Sequence, residues 1–232
     1  MFAFAIWDDN RKRLLLARDR IGIKPLFYYW DGKSLSFASE IKGLLALPRV
    51  KKELNITALF DYLTCLYIPA PKTIYQNMFK LQPGHYLVFQ DNQINERKYW
   101  DVEFGNKTES EEKEILELLY EKINEAVESH LISDVPLGVL LSGGLDSSAV
   151  TSFASEYQGK KRLQTCSVGF DVIEHSETEY ARIIAERFNT NHYESTVGYE
   201  SLHNNLANIV WMYDEPYADS SAIPTYEVCR LA

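Results

Sequence analysis

The chain has 232 residues, 46% apolar and 25% charged, without a run of about 18 apolar residues, which predicts one or two globular domains and no transmembrane helix. Its formal net charge of −9 at pH 7 argues against a protein that binds the phosphate backbone of nucleic acids. The three cysteines, Cys65, Cys166 and Cys229, fit neither a disulfide framework nor a zinc site, and they favour a reducing, cytoplasmic location.

The first hundred residues contain short apolar and aromatic runs, separated by turn signals such as Asp31-Gly32 and Asp91-Asn92. This pattern predicts a β-rich region. The predicted strands cover residues 2–7, 14–17, 25–30, 34–38 and 85–90.

Two helices are predicted among these strands. One begins near Ser39, and the other is capped by Asn55 and ends near Leu66. Apolar residues at helical spacing predict one apolar face on the second helix. That face consists of Leu59, Phe60, Leu63 and Leu66.

Residues 105–112 are polar and poor in apolar side chains, which predicts a linker between a domain at 1–104 and a second domain at 113–232. Beyond the linker, strands and helices alternate. Strands are predicted at 135–141, 163–170 and 192–197, with helices at 115–131, from 149, 177–188, 200–213 and from 222. Ser176, with Glu179 three residues later, matches a capping box. This alternation predicts a doubly wound parallel sheet.

The most informative segment is the loop Ser142-Gly143-Gly144-Leu145-Asp146-Ser147-Ser148, between a predicted strand and a predicted helix. A glycine pair lets several backbone N–H groups face one point, and the helix N-terminus adds partial positive charge there. The serine hydroxyls of Ser142, Ser147 and Ser148 can also bind phosphate oxygens. Asp146 is the carboxylate placed to hold Mg²⁺ against those phosphates. The segment therefore predicts a nucleotide site.

The loop lacks the Lys-Ser/Thr ending of a Walker A motif. It resembles instead the SGGxDS loop of the ATP pyrophosphatases, called the PP-loop. The resemblance implies cleavage of ATP between its α and β phosphates, and hence adenylation of a substrate.

Several stretches along nearly the whole chain resemble the glutamine-dependent asparagine synthetases. The stretches similar to the late part of the class II glutaminase domain of that family are 2–8, 17–26 and 37–40, and those similar to its domain junction are 81–86 and 98–100. Residues 134–148 and 214–225 are similar to its synthetase domain. The resemblance implies an α+β, partial Ntn-type glutaminase domain followed by an α/β, doubly wound PP-loop domain, both truncated.

The same resemblance implies the reaction and its participants. Aspartate, glutamine and ATP with Mg²⁺ would give asparagine, glutamate, AMP and pyrophosphate through an aspartyl-adenylate, and a homodimer is compatible with the family. The resemblance assigns Leu141 and Val168 to adenosine and Asp219, Ser220 and Ser221 to the substrate pocket. The residues assigned to pyrophosphate and its metal are Ser142, Gly143, Gly144, Asp146, Ser147 and Ser148.

Two departures from the family pattern shape the expectation for activity. The family uses an N-terminal cysteine nucleophile, whereas this chain opens Met1-Phe2 and its first cysteine, Cys65, lies in a predicted helix. The later phosphate-side loop and catalytic lysine of the family have no counterpart before Ala232. We therefore expect an internal fragment without glutaminase activity and with little or no synthetase activity, and we assign no catalytic residue.

Other functions are compatible with parts of the sequence. A related amidotransferase could act on a cell-surface polysaccharide precursor, and a PP-loop ligase without glutaminase could use free ammonia. A binding or scaffold protein is a third alternative, although the retained Asp146 argues against it. Asp219-Ser220-Ser221 could also be a helix cap. We interpret Arg18, Asp19, Lys24 and Glu40 as an interior set of ion pairs or hydrogen bonds and not as a catalytic cluster.

Overall fold

The computed structural model describes residues 1–105, 107, 109–157, 162–171 and 177–232. The chain forms two compact units. The first consists of residues 1–105 with 210–219, and the second of residues 106–209 with 220–232. A ten-residue segment, 210–219, therefore belongs to the first unit although it lies far along the chain.

The first unit contains two antiparallel sheets. One has the strand order β1-β2-β6-β7 and the other has the order β4-β3-β5. The elements are β1 (Ala3–Asp8), β2 (Arg13–Arg18), β3 (Phe27–Trp30), β4 (Leu35–Ala38), α1 (Ile41–Leu45), α2 (Ile56–Cys65), β5 (Met78–Lys80), β6 (His85–Gln90) and β7 (Gln93–Lys98).

Local sequence explains both the predicted strands and the two that were missed. Asp91 and Asn92 both adopt positive φ and turn β6 directly into β7, as a two-residue hairpin requires. The polar sequence of β7 hid this strand from the hydrophobic pattern. The short strand β5 was also missed, and its Met78 is buried.

The core of the first unit forms two clusters. Leu16, Leu81 and Leu87 are fully buried together with Leu26 and Tyr28. The second cluster forms under the β4-β3-β5 sheet and α1. It consists of Tyr29, Ile41, Leu44, Val50 and Met78.

The apolar face predicted for α2 is largely exposed. Asn55 does cap the helix, because its side chain accepts the Ala58 N–H. However, Phe60, Leu63 and Leu66 are more than half exposed, and Ala58 is the fully buried residue. The small Ala58 side chain lets Ile68 and Ile74 pack against that face, together with Leu59 and Tyr62. Steric fit, and not the number of apolar residues, therefore determines which face of α2 is buried.

The second unit contains a three-stranded parallel sheet with the order β10-β9-β8. A helix follows each of the three strands along the chain, as predicted from the alternation. The elements are α3 (Glu112–His130), β8 (Gly138–Leu140), α4 (Leu145–Tyr157), β9 (Gln164–Phe170), α5 (Thr178–Arg187), β10 (Asn191–Val197), α6 (Tyr199–Tyr213) and α7 (Ala222–Leu231). The last residues of α6, from Val210, belong to the first unit.

Two expectations change in this unit. The strand predicted at 135–141 pairs only over Gly138–Leu140, because Pro136 cannot donate a ladder hydrogen bond and Val135 is 68% exposed. Ser176 lies outside the described residues, and the N-cap of α5 is Glu177, which makes no side-chain capping bond.

Two findings bear on the composition-based expectations. Among the described helices, none combines the length and apolarity needed to cross a bilayer. All three cysteines are free thiols, and Cys166 is buried while Cys65 and Cys229 are exposed.

Candidate functional site

The segment predicted as a loop, 142–148, begins where the parallel sheet ends. The helix predicted from residue 149 already begins at Leu145, so Asp146, Ser147 and Ser148 lie in the first turn of α4. Leu141 is 1% exposed, and its N–H donates to the Cys166 carbonyl of β9 (2.8 Å). Its side chain packs against Ala181 and Ala185 of α5. This buried anchor holds the first residue of the loop at the carboxyl edge of the sheet, where open α/β sheets bind ligands.

Val168 lies at the same edge. It is half-buried on β9, next to Ser167, whose hydroxyl donates to the Leu141 carbonyl. Of the two residues predicted to contact adenosine, Leu141 directly follows β8. Val168 lies within β9, two residues before its end and beside the Ser167 that bonds to Leu141.

The hydroxyl groups of the loop bond to one another and to the loop backbone. The Ser142 and Ser147 Oγ atoms are 3.0 Å apart, and the Gly144 N–H donates to Ser142 Oγ (3.2 Å). Ser147 Oγ also donates to the Gly144 carbonyl (3.2 Å). These bonds hold Ser142, Gly144 and Ser147 together at the start of α4. Phosphate oxygens are acceptors of the kind that such donors bind.

Gly143 is the residue that allows the loop to pack closely against α5. Its φ is +86°, and a Cβ at this position would lie 2.6 Å from the Ala181 backbone N. The same Cβ would lie 2.7 Å from the Tyr180 Cβ. A side chain at position 143 is therefore excluded by both backbone conformation and space. The sequence indicated a need for glycine, but not that α5 forms the wall.

Two polar side chains at the start of α4 lack a partner among the described residues. Asp146 is exposed in the first turn and makes no hydrogen bond or ion pair there. Ser148 Oγ is buried and unpaired, which is costly unless a ligand or water supplies a partner. A single free carboxylate beside hydroxyl and amide donors would fit Mg²⁺, which commonly takes one or two carboxylates together with substrate phosphates. Groups of three or more metal-binding side chains do not occur in the described part of the chain.

The predicted substrate residues Asp219, Ser220 and Ser221 lie at a unit boundary. Asp219 belongs to the first unit, whereas Ser220 and Ser221 belong to the second. Ser221 occupies the N-cap position of α7, but its side chain makes no capping hydrogen bond. The side chain therefore does not act as the simple helix cap considered above.

The charged set interpreted from the sequence as interior is so only in part, because Arg18 and Asp19 are at least partly buried and hydrogen-bonded, whereas Lys24 and Glu40 are exposed. The Arg18 guanidinium donates to three carbonyls, those of Lys24 (2.9 Å), Leu81 (2.7 Å) and Gly22 (2.8 Å). Asp19 is 4% exposed and accepts the backbone N–H groups of Phe2, Ile23 and Lys24. Although burial raises the pKa of Asp19, these hydrogen bonds lower it more, to about 2.

A second polar network was not predicted as a unit. His192 Nδ1 lies 2.9 Å from Thr165 Oγ1, and its Nε2 lies 3.1 Å from a Glu194 oxygen. Arg182 forms a bidentate pair with Glu194 (2.8 and 2.7 Å). The hydrogen bonds from Arg182 lower the pKa of Glu194 despite partial burial. These contacts join α5 to β10, so they support the wall against which Gly143 packs.

Comparison with known proteins assigns the two parts of the chain separately. Residues 118–232 match the asparagine synthase family model, and residues 1–100 match the glutamine amidotransferase domain model. A glutamine-hydrolyzing asparagine synthetase homologue of Methanocaldococcus jannaschii is 37% identical over the whole chain. Glutamine-hydrolyzing asparagine synthetase 1 of Bacillus subtilis is 36% identical, also over the whole chain. The chain belongs to the asparagine synthetase family.

The chain spans 45% and 36% of the lengths of these two asparagine synthetase relatives. Proteins with other names are also similar. Amidase chyE of Penicillium rubens is 32% identical over 94% of the chain, which covers 34% of that protein. Family membership thus accounts for both modules, while the acceptor that receives the nitrogen has to be argued separately.

Proposed function

We propose that the chain supplies the ATP site and part of the glutaminase module of an enzyme that converts aspartate, glutamine and ATP to asparagine, glutamate, AMP and pyrophosphate. The observation that carries this proposal is the loop 142–148, which concentrates amide and hydroxyl donors beside the unpaired carboxylate of Asp146. The match to an asparagine synthase model over 118–232 supports the choice of reaction class.

ATP is proposed to bind across the carboxyl edge of the sheet. The backbone of Leu141 and Val168 would contact the adenosine part. Ser142, Gly144 and Ser147 would donate to the β and γ phosphate oxygens, and the buried Ser148 hydroxyl would gain its missing partner there. Asp146 would hold Mg²⁺, which neutralises charge on the departing pyrophosphate.

The proposed chemistry has two steps. A side-chain carboxylate oxygen of aspartate bonds to the α phosphorus, and the bond from that phosphorus to the bridging oxygen of pyrophosphate breaks. Ammonia from glutamine then attacks the acyl carbon, AMP leaves and the nitrogen loses one proton to give the amide. The loop assists the first step because its donors stabilise negative charge that grows on the leaving group.

The test is acceptor-dependent release of pyrophosphate by the full-length protein. The protein is incubated with ATP, Mg²⁺ and ammonium, with aspartate, glutamate or no acceptor, and pyrophosphate and asparagine are measured. The proposal expects both products with aspartate only. Pyrophosphate release with no asparagine, or with another carboxylate in place of aspartate, would reject the acceptor but retain ATP cleavage.

Nucleotide binding is tested separately on the 232-residue chain, because binding does not depend on turnover. Calorimetry with a non-hydrolysable ATP analogue and Mg²⁺ is expected to show one site. Binding that is equally strong in an Asp146→Asn variant and in the absence of Mg²⁺ would argue against the metal role of Asp146. Asp134→Asn, at an exposed aspartate in a neighbouring loop, is the matched control.

A further inference from the structure

Sequence and contacts assign segment 210–219 to different parts of the chain. By sequence it lies within the stretch that matches the asparagine synthase model, residues 118–232. By contacts it is part of the first unit, with residues 1–105. The chain therefore leaves the second unit near Ile209, completes the first unit, and returns at Ser220. Two consecutive carboxylates, Asp214 and Glu215, bind the segment to the first unit.

Asp214 is held by Lys42 of α1 through two contacts. One carboxylate oxygen lies 3.1 Å from Lys42 Nζ, and the other accepts the Lys42 backbone N–H (3.2 Å). The Asp214 side chain is 7% exposed, so water barely competes for these bonds. The ammonium group also lies 5.5 Å from the centroid of the Trp211 ring. Burial lowers the pKa of Lys42, but its hydrogen bonds to Asp214 and Glu40 raise it more.

Glu215 is held by Lys80 of β5. The two side chains form an ion pair and are 12% and 16% exposed. The other Glu215 oxygen accepts the Ile74 N–H (3.2 Å), and Lys80 Nζ also donates to the Ile68 carbonyl. Burial raises the pKa of Glu215, and Lys80 offsets only part of that rise. The carboxylate is therefore desolvated at a cost that its two partners, Lys80 and the Ile74 N–H, reduce.

Beyond Glu215, further contacts within the first unit fix the chain as far as Asp219. The Ala218 N–H donates to the Leu66 carbonyl (2.9 Å). The Tyr213 and Tyr217 rings stack at 4.5 Å with an interplanar angle of 9°. The Tyr217 hydroxyl in turn donates to the Asp219 carboxylate (3.4 Å). A continuous set of contacts thus runs from the two ion pairs to Asp219.

Desolvated ion pairs add little net stability, but they discriminate strongly against a wrong arrangement, because a displaced charge would be buried alone. Lys42 and Lys80 come from different elements and match adjacent carboxylates. A shift of the segment by one residue would place Pro216 or Tyr213 opposite a buried lysine. The two ion pairs therefore fix which residues of the segment lie opposite Lys42 and Lys80.

We propose that Asp214 and Glu215 are positioning residues for the acceptor: their pairs with Lys42 and Lys80 fix Asp219 and so set the affinity for the amino acid that receives the nitrogen. This inference depends on the proposed function, because it takes Asp219 as a substrate contact. Neither carboxylate needs to touch the substrate.

The test compares Lys80→Met and Glu215→Gln with Lys72→Met in the full-length protein. Lys72 also forms an ion pair in the first unit, with Asp61 (2.7 Å), but both side chains are about one-third exposed and neither contacts segment 210–219. We expect the KM for aspartate to rise about tenfold in the first two variants, with kcat and the KM for ATP within about twofold of wild type. The Lys72→Met control should retain all three constants.

A purely stabilising pair would not give this separation of KM from kcat. The swapped double variant, Lys80→Glu with Glu215→Lys, restores opposite charges and should return the KM to within about threefold of wild type. If Lys80→Met does not fold, Glu215→Asp keeps the charge and shortens the side chain, and it should still raise the KM for aspartate.

Amide hydrogen exchange of segment 210–219 separates the two proposals. Faster exchange there in Lys80→Met, with β9 unchanged, is expected whether or not aspartate is the acceptor. Unchanged exchange together with an unchanged KM would overturn the positioning role, even in an enzyme that releases pyrophosphate with aspartate. Faster exchange in a protein that makes no asparagine would instead reject the proposed acceptor.

Discussion

The two units place their charged groups in opposite ways. In the first unit, Asp19 is buried and the Glu215 side chain is only 12% exposed, and backbone N–H groups or a lysine already occupy their oxygens. In the second unit, Asp146 is exposed at a strand-to-helix turn and makes no bond with a described residue. A buried charge with its partners in place serves the fold, whereas an exposed one beside the unpaired Ser148 hydroxyl is available to a ligand.

The glycines show the same contrast. Gly143 and Gly32 both have positive φ, near +86° and +88°, but only Gly143 has backbone atoms where a side chain would be. Gly32 lies in a turn of the first unit with open space around it. Conformation alone therefore explains Gly32, while Gly143 also reflects the close approach of a functional loop to a helix.

The largest expected effect is from Gly143→Val, which would sharpen this contrast. Strain at positive φ and the overlap with Tyr180 and Ala181 together should destabilise the second unit by about 3–5 kcal/mol. Amide hydrogen exchange of β9 measures this loss. The matched Gly32→Val should cost only about 1–2 kcal/mol in the first unit. Equal effects of the two substitutions would contradict the close packing of loop and α5.

Asp146→Asn should affect chemistry and not stability. Removal of the charge offered to Mg²⁺ should lower ATP-dependent pyrophosphate release about 100- to 1000-fold, because charge on the leaving group is no longer neutralised. The free energy of unfolding should change by less than about 0.5 kcal/mol, since the side chain is exposed. Glutamine hydrolysis in the full-length protein should fall far less, and an equal loss of both activities would indicate misfolding.

Sequence patterns predicted the strand, turn and helix around residues 142–148, because this local structure needs only neighbouring residues. They also predicted the Asn55 cap and the Asp91-Asn92 turn for the same reason. They missed the buried face of α2, where the small Ala58 admits Ile68 and Ile74. Which face of α2 is buried depends on the shape of another segment, and the spacing of apolar residues within the helix gives no information about that shape.

The role of segment 210–219 was also beyond the sequence. Residues 214–216 were recognisable by family resemblance, but the pairing of Asp214 with Lys42 and Glu215 with Lys80 joins positions 172 and 135 residues apart (214 − 42 and 215 − 80). The α5 wall behind Gly143 is a similar case. Long-range contacts of this kind leave no spacing signal in a single sequence.

The acid stability of the first unit should depend on Asp19. Its pKa is about 2 in the folded chain and about 3.8 ordinarily, so its stabilising contribution is present above pH 4 and is lost as the pH falls towards 2. Asp19→Asn should cost about 2 kcal/mol at pH 7 and flatten the pH dependence between 4 and 2. The pKa of Glu215 is raised, so this residue changes the pH dependence of stability in the opposite direction. Its effect is the same in wild type and in Asp19→Asn, so it cancels when the two are compared.

Tryptophan fluorescence during urea unfolding measures this effect in the first unit alone. All four tryptophans, at positions 7, 30, 100 and 211, belong to that unit. The control is Asp91→Asn, at an exposed turn position with φ of +51° that asparagine tolerates well. A pH dependence that persists unchanged in Asp19→Asn would show that another carboxylate controls acid unfolding.

The smallest expected effect concerns helix caps, which also differ between the units. Asn55 accepts the Ala58 N–H (3.2 Å), so Asn55→Ala should destabilise the first unit by about 1 kcal/mol in the same fluorescence measurement. Glu111 holds the equivalent position before α3 but makes no side-chain capping bond. Glu111→Ala should therefore change the second unit by only about 0.3 kcal/mol, through the helix dipole. A loss as large as that from Asn55→Ala would mean that the charge of a capping residue, and not its hydrogen bond, stabilises these helices.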